Sequence, residues 1–327
     1  MKIFSFPHLV IHELMKQFEL PGLIALSLCS KNAHAFVKTF SKINEDLQID
    51  YSYLHNGYCL SFPRHHWIVV MSNQPRFCGP SGLKSIHGFN YYSGRAGYLY
   101  TCWQDIVQGS QKTTNFICDL LMIPVATVSI CREEDLWLLD FVQQRQEREL
   151  KELYTSSSLQ ISAEGYSRII SYNATESLKV TAEQPRDYRF DGKLSTAKAL
   201  IIEYGFWITR EHLLSLESSN AKFSRTGLRS ADINALLLSW LNGGLPNLKS
   251  MEIHGEIYDI QIYEGVRDRL EPVRGEISYK WDKFKSAVIF NSNAFHIRRE
   301  DGVVVTVRID GRKFTMAVWP DINGNRV

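Results

Sequence analysis

From about Lys112 onward the sequence repeats one local pattern, a short amphipathic helix followed by a short apolar strand. The predicted strand centres lie about 20 to 30 residues apart, which is the spacing of leucine-rich repeats. They are Val128, Leu153, Val180, Ile202, Phe223 and Ile253. One helix and one strand cannot bury an apolar face alone, whereas stacked units form a parallel sheet backed by helices. The pattern therefore predicts an α/β fold of leucine-rich-repeat-like helix–strand units. An ordinary doubly wound α/β domain is the alternative, because no unit carries a complete repeat signature.

The spacing of apolar residues within each segment also predicts individual helices and strands. Helices are predicted at 114–123, 133–147, 162–172, 209–217 and 230–241. Strands are predicted at 125–130, 150–155, 178–181, 199–204, 221–224 and 248–254. The segment 295–309 predicts a C-terminal β-hairpin, because apolar and polar residues alternate on both sides of an Asp301-Gly302 turn. Before these units, Leu47–Met71 predicts one or two short strands, and the Gly- and Pro-rich residues 72–97 predict a loop.

The first forty residues form an apolar segment too short to bury its own surface. Val10, Leu14 and Phe18 make one stripe at helical spacing, and a second apolar run begins after the turn at Pro21-Gly22. Ser30 can cap a third short helix. The sequence therefore predicts three small helices whose apolar surface needs either a partner or the domain behind them.

This segment resembles the F-box, which docks on the adaptor subunit of SCF-type ubiquitin ligases. The resemblance lies in a Leu/Phe-Pro start, a spaced Glu-Leu/Ile pair and a Leu-x-Leu-Val/Leu-Cys-x-Lys tail. The matching residues are Phe6-Pro7, Glu13-Leu14 and Leu26-Ser27-Leu28-Cys29-Ser30-Lys31. The adaptor contacts that the resemblance implies are Phe6, Pro7, Leu9, Val10, Leu14, Phe18, Leu23, Leu26 and Leu28.

Two further segments resemble the F-box-associated domain of the nematode F-box protein family. Residues 234–248 are similar to its Phe-Leu-x-x-Trp-x-x-Gly-x-x-Pro-x-Leu core, and Phe295–Gly302 is similar to its Ile-Arg-Arg-x-Asp-Gly signature. The resemblance implies a substrate-recognition subunit of an SCF-type E3 ubiquitin ligase. Its partners would be a Skp-type adaptor, through it a cullin, and an unknown protein target. The implied domains are an F-box at 1–44, a connecting β and loop region at 45–111, and the repeat-like and F-box-associated domain at 112–327.

Strand alternation would turn the apolar strand centres inward and their neighbours towards an open face of the sheet. Charges on that face alternate in sign, which suits recognition of a folded protein or peptide better than catalysis. The residues predicted to bind the target there are Glu152, Tyr154, Lys179, Thr181, Glu203, Lys222, Glu252 and His254. The alternative is a face that is only solvated.

Composition excludes several other functions. The net charge is +2 and no long basic run occurs, so neither nucleic acid nor a membrane surface is expected as a partner. No stretch is apolar for long enough to act as a signal peptide or membrane span, which favours a cytoplasmic or nuclear location. The six cysteines are scattered without a Cys-x-x-Cys pair, so we expect them to be reduced and to form no zinc site.

Groups that suggest catalysis have simpler explanations. Glu133-Glu134-Asp135 lies at a predicted helix start, where negative charge complements the helix dipole. Adjacent His65 and His66, near Cys78, would point to opposite faces of a strand. Residues 94–97 lack the flanking strand and helix of a phosphate-binding loop. We therefore expect no enzyme activity, no metal and no cofactor. The alternatives are an enzyme that uses the Gly-rich middle region, and a stand-alone binding module whose N-terminal helices only complete the core.

Overall fold

The computed structural model describes residues 6–40, 47–52, 57–62, 66–72, 84–86, 89–93, 98–257, 259–280 and 287–319. The chain divides into two compact units, Met1–Leu150 and Lys151–Val327. The domain boundaries expected at residues 44 and 111 stay predictions. The predictions on His65, Cys78 and residues 94–97 lie outside the described residues.

The first unit combines N-terminal helices with a mixed sheet. Its α-helices are α1 (His8–Gln17), α2 (Leu20–Leu28), α3 (Lys31–Phe40), α4 (Ile106–Leu121) and α5 (Trp137–Arg145), the last preceded by a 3-10 turn at Glu133–Leu136. Its strands are β1 (Leu47–Ser52), β2 (Gly57–Phe62), β3 (His66–Ser72), β4 (Lys84–Ile86), β5 (Phe89–Ser93), β6 (Tyr98–Trp103) and β7 (Val125–Ile130). They follow the order β7-β1-β2-β3-β6-β5-β4, and the β1–β7 and β3–β6 pairs are parallel.

The predicted loop at 72–97 is wrong in part. β4 and β5 lie within it, and β5 pairs antiparallel with β6. The β5 sequence, Phe-Asn-Tyr-Tyr-Ser, is rich in aromatic residues. Aromatic residues favour strands because they pack well against cross-strand neighbours. This preference outweighs the nearby Gly and Pro residues on which the loop prediction relied.

The three N-terminal helices belong to the first unit because α3 packs on α4. The rings of His34 and Phe116 are 5.4 Å apart at this contact, and α4 in turn contacts β2, β3 and β6. α4 begins at Ile106 instead of residue 114, because the Asp105 carboxylate accepts hydrogen bonds from the Val107 and Gln108 N–H groups. α3, α4 and the strands β2, β3 and β6 are therefore packed together within the first unit.

A polar network is buried around Asp135, which is fully inaccessible to solvent. Its Oδ1 atom accepts from the Tyr58 hydroxyl and from the Arg132 guanidinium, both at 2.9 Å. Its Oδ2 atom accepts from the backbone N–H groups of Arg132 and Cys131. The indole of Trp137 donates to the Tyr58 oxygen at 2.9 Å. Burial, reinforced by the Asp135 charge, raises the pKa of Tyr58 and keeps it a donor. The carboxylate thus stabilises the turn after β7.

Replacing Asp135 with Ala should lower the free energy of unfolding of the first unit by about 3 kcal/mol, because it leaves buried donors without an acceptor. Urea unfolding followed by tryptophan fluorescence measures the change. Glu134→Ala, an exposed position in the same turn, is the matched control and should stay within about 0.5 kcal/mol of the parent. Equal midpoints for the two variants would contradict the structural role of Asp135.

The cysteines depart from the sequence prediction at one position. Cys29 and Cys118 have free thiols, whereas Cys102 is disulfide-bonded. The expectation that all cysteines are reduced is therefore wrong at Cys102. Disulfide formation depends on distance in the fold, which spacing along the chain does not report.

The second unit also combines helices with strands. Its α-helices are α6 (Ala163–Ile170), α7 (Arg210–Leu214) and α8 (Ser230–Leu241), and 3-10 turns occur at Asp259–Tyr263 and Arg267–Arg269. The parallel strands are β8 (Glu152–Thr155), β9 (Ser177–Val180), β10 (Ala199–Ile202), β11 (Asn220–Phe223) and β12 (Ser250–His254). The later strands are β13 (Leu270–Pro272), β14 (Ile277–Lys280), β15 (Ala287–Phe290), β16 (Ala294–Arg298), β17 (Val304–Asp310) and β18 (Lys313–Trp319).

The strand order in the second unit is β8-β9-β10-β11-β12-β18-β17-β16-β13, with β14 and β15 paired separately. The predicted parallel sheet and C-terminal antiparallel hairpin are confirmed. The parallel strands follow chain order without the reversal that defines a doubly wound sheet. From β8 to β12 each connection leads to the next strand on the same side of the sheet. Because crossovers between parallel strands are right-handed, all of these connections lie on one face of the sheet. The opposite face of β8–β12 is therefore free of these crossovers.

The helix–strand alternation is interrupted once among the described residues. No α-helix joins β9 to β10, and Pro185 in that connection disfavours one. Aromatic packing covers the sheet there instead. The Tyr188 ring lies 4.9 Å from Tyr166 of α6 and 5.5 Å from Trp207. The strand centres Leu153, Val180, Ile202, Phe223 and Ile253 are all fully buried, as predicted for the inward positions.

Candidate functional site

A row of side chains crosses the parallel strands of the second unit. Tyr154 is the register partner of Lys179, and Lys179 of Ile201. Ile201 is in turn the partner of Lys222, and Lys222 of Glu252. Register partners share a face of the sheet, and alternation puts these residues opposite the buried strand centres. The row therefore lies on the face that the helical connections leave uncovered.

The other predicted target-binding residues lie on the same face. Glu152 is two residues before Tyr154, and its carboxylate accepts a hydrogen bond from the Tyr154 hydroxyl at 2.7 Å. Thr181 and Glu203 follow β9 and β10, and both are half-buried. His254 is two residues after Glu252. All eight predicted positions thus share one face, and their binding role stays a prediction.

Two residues on this face were missed by the sequence reasoning. Ile201, only 3% exposed, packs between the two lysines of the row. Lys313 comes from β18, as the register partner of His254. The alternation of Phe314 and Met316 with polar neighbours would have indicated β18, but the predicted hairpin ended at residue 309. Sequence alone gives no indication that β18 pairs with β12.

Glu252 is the centre of a charged cluster. It is 7% exposed, and its Oε1 atom accepts from the Lys222 ammonium at 3.0 Å and from His254 Nε2 at 3.0 Å. Its Oε2 atom accepts from the Lys313 ammonium at 2.7 Å. Burial alone would raise the pKa of Glu252, but hydrogen bonds from Lys313, His254 and Lys222 outweigh it and lower the pKa to about 2. Glu252 is thus ionised over the physiological range.

Because its pKa is lowered, ionised Glu252 adds to the free energy of unfolding at any pH above the usual pKa of a glutamate. This contribution is lost as the pH falls towards 2. Glu252→Gln should lower the free energy of unfolding by about 2 kcal/mol at neutral pH. Its difference from the parent should shrink as the pH falls below about 4.5. Urea titrations across this range measure the effect. Glu203→Gln on the same face, whose carboxylate has no ion pair among the described residues, should change stability little at any pH. A pH-independent deficit in the Glu252 variant would contradict the assignment.

The N-terminal residues separate into exposed and buried sets. α1 exposes Leu9 by 75%, Val10 by 43%, Leu14 by 38% and Phe18, just after it, by 39%. Pro7 is exposed, and Phe6 and Leu26 are half-buried. Leu23 and Leu28 are buried. Of the residues predicted to contact an adaptor, those on α1 therefore face solvent, whereas Leu23 and Leu28 of α2 support the helices from inside.

Arg299 contacts Trp240 and so joins the two segments that resemble the F-box-associated domain. Its guanidinium lies 5.0 Å from the centre of the Trp240 ring and also forms hydrogen bonds to Asp301, the shortest at 2.6 Å. Trp240 belongs to the 234–248 segment, and Arg299 to Phe295–Gly302. A cation above an indole face is attracted by the ring quadrupole. The two segments, distant in sequence, are therefore in contact in the second unit.

Other possible sites are less developed. An open cleft of about 560 Å³ is lined by Leu270, Glu271, Pro272, Arg274, Ile277 and His296. Burial lowers the pKa of His296, whose Nδ1 atom is hydrogen-bonded to the Thr306 hydroxyl at 2.9 Å.

Within the described residues no three or more His, Cys, Asp or Glu side chains are grouped to hold a metal ion. No described helix is both long and apolar enough to cross a membrane.

Residues 193–253 match a family model described as F-box associated. The match runs from just before β10 into β12, and it includes Lys222, Glu252 and the 234–248 segment. The N-terminal helices and Phe295–Gly302 lie outside it. No curated protein and no solved structure matches the chain. The match supports a relationship to F-box-associated domains, which suggests a substrate-binding role of the kind such domains have in F-box proteins.

Proposed function

We propose that this chain is a substrate-recognition subunit of an SCF-type E3 ubiquitin ligase. It would link a protein target through a Skp-type adaptor to a cullin, and would itself perform no covalent chemistry. The observation that carries the proposal is the F-box-associated match at 193–253, in a chain whose first helix exposes an apolar stripe. The contribution of the chain is to raise the effective concentration of target lysines near the ubiquitin-charged enzyme.

The exposed stripe on α1 supports the adaptor end of the proposal. Val10, Leu14 and Phe18 are four residues apart and so lie on one side of the helical segment, while Ile11 and Met15 are buried on another. A helix that shows apolar residues at this spacing to solvent can place them in a groove of a partner. Docking would remove this apolar surface from water, and that transfer is favourable.

The free thiols of Cys29 and Cys118 fit the cytoplasmic or nuclear location that the proposal requires. The disulfide at Cys102 fits a reducing compartment least well.

A stand-alone binding module is the second candidate, and one set of contacts favours it. α3 packs on α4 through His34 and Phe116, and Leu23 and Leu28 are buried. On this hypothesis the N-terminal helices only complete the core of the first unit.

The two candidates predict different results for Leu14→Glu combined with Phe18→Glu. If α1 binds an adaptor, this double variant should lose affinity for a purified Skp-type adaptor by about 30-fold or more, because interface anchors contribute about 2 kcal/mol or more. Its melting temperature should stay close to that of the parent. Calorimetric titration and thermal unfolding measure the two properties.

Leu214→Glu combined with Phe206→Glu is the matched control, because both side chains are 38% exposed and lie outside the N-terminal helices. This variant should bind adaptor as the parent does. A parent chain that does not bind the adaptor, or a Leu14/Phe18 variant that unfolds the first unit, would favour the stand-alone module.

A further inference from the structure

We infer that the Lys222–Glu252–Lys313 cluster is an anion-binding point on the open face, and that the target segment bound there presents a carboxylate or phosphoryl group to it. This inference rests on the proposed function for the assumption that the ligand is a protein segment. It adds the chemistry by which that segment is recognised.

The first support is the charge balance of the cluster. One carboxylate, Glu252, is shared by two ammonium groups and by His254. Each lysine ammonium has three N–H donors, and the described residues supply each of these two lysines with one ionic partner, Glu252. The cluster therefore carries at least one excess positive charge together with unused donors. The Lys222 and Lys313 side chains are 35% and 30% exposed, so a ligand can reach them.

The second support is that the lysines are held in place before a ligand arrives. Exposed lysines normally lose much side-chain freedom when they bind. Here Glu252 is nearly buried and fixes both ammonium groups at 3.0 Å and 2.7 Å. Much of this side-chain freedom is therefore already lost in the folded protein, before a ligand binds. A further anionic group would bind to ammonium groups that are already held next to Glu252.

The third support is the charge distribution along the face. Lys179 lies in the same row as Lys222, one strand beyond Ile201, and its ammonium has no ion pair among the described residues. Between β9 and β18 the face thus carries three lysines, Lys179, Lys222 and Lys313, and two glutamates, Glu203 and Glu252. Glu152 lies at the opposite end, on β8. An anionic group is electrostatically complementary to the β11–β12–β18 end and would fix the direction of a bound segment.

The test uses the full chain and three fluorescent peptides of one Gly/Ser/Ala sequence, with glutamate, phosphoserine or serine at the centre. Fluorescence anisotropy at ~0.01 M ionic strength, where charges are weakly screened, measures binding. The parent should bind an anionic peptide at least fivefold more tightly than the serine peptide. A preference for the phosphoserine peptide identifies a phosphoryl ligand, and a preference for the glutamate peptide a carboxylate.

Lys222→Met and Lys313→Met should each abolish this preference, whereas Lys222→Arg should retain it because the charge remains. Lys198→Met is the matched control, since Lys198 forms an ion pair with Glu176 at 2.8 Å outside the cluster, and it should bind as the parent does. If a Met variant unfolds, the salt dependence of the parent decides, because an anion preference must fall as ionic strength rises.

A parent without the preference, or Met variants that keep it, would show that the cluster only holds β18 against β12. Adaptor binding is measured on the same preparations. If the parent binds the adaptor but shows no preference for an anionic peptide, this inference alone is overturned. If the parent shows the preference but does not bind the adaptor, only the ubiquitin-ligase proposal is overturned.

Discussion

The in-register pairing of β8–β12 is the constraint on which the second unit depends. Each strand pairs with the next without a register shift among the described partners, and the connections all step in the same direction. Because side chains alternate with a period of two, a slip of one residue would exchange Lys222 with Phe223 and move the whole apolar set to the other face. The burial of the strand centres therefore fixes the sheet, and fixing the sheet also fixes which polar groups meet on the open face.

Elements with strong local signals could be predicted from sequence. The strand Val125–Ile130 and the helix Ser230–Leu241 have the predicted bounds, because Pro124 and Gly243-Gly244 mark their limits. The open-face positions follow from strand alternation in the same way. Pairing between distant segments could not be predicted, and this hid the pairing of β18 with β12. Lys313 was missed for the same reason, although it makes the shortest contact to Glu252.

The N-terminal helices show where periodicity stops being informative. α1 has a clear apolar side, and the residues expected to face outward on it are exposed. α2, Leu-Pro-Gly-Leu-Ile-Ala-Leu-Ser-Leu, is apolar around its whole circumference, so no helical face can be singled out from sequence. Only the packing of α2 and α3 shows that Leu23 and Leu28 are interior. Periodicity also gives no indication of the contact between α3 and α4, because this contact joins segments that are far apart in sequence.

The contact between Arg299 and Trp240 bears on how far the matched segment can stand alone. Residues 193–253 contain β10, β11 and most of β12, and their outer neighbours, β9 and β18, both lie beyond the match. Excised on its own, this segment would have an unpaired strand edge on each side, and Trp240 would lose the guanidinium that covers it. Open edges invite pairing with other chains. The stretch that family comparison detects is therefore smaller than the compact unit that contains it, and an exchange of binding specificity between related chains would have to include the strands on both sides of the match.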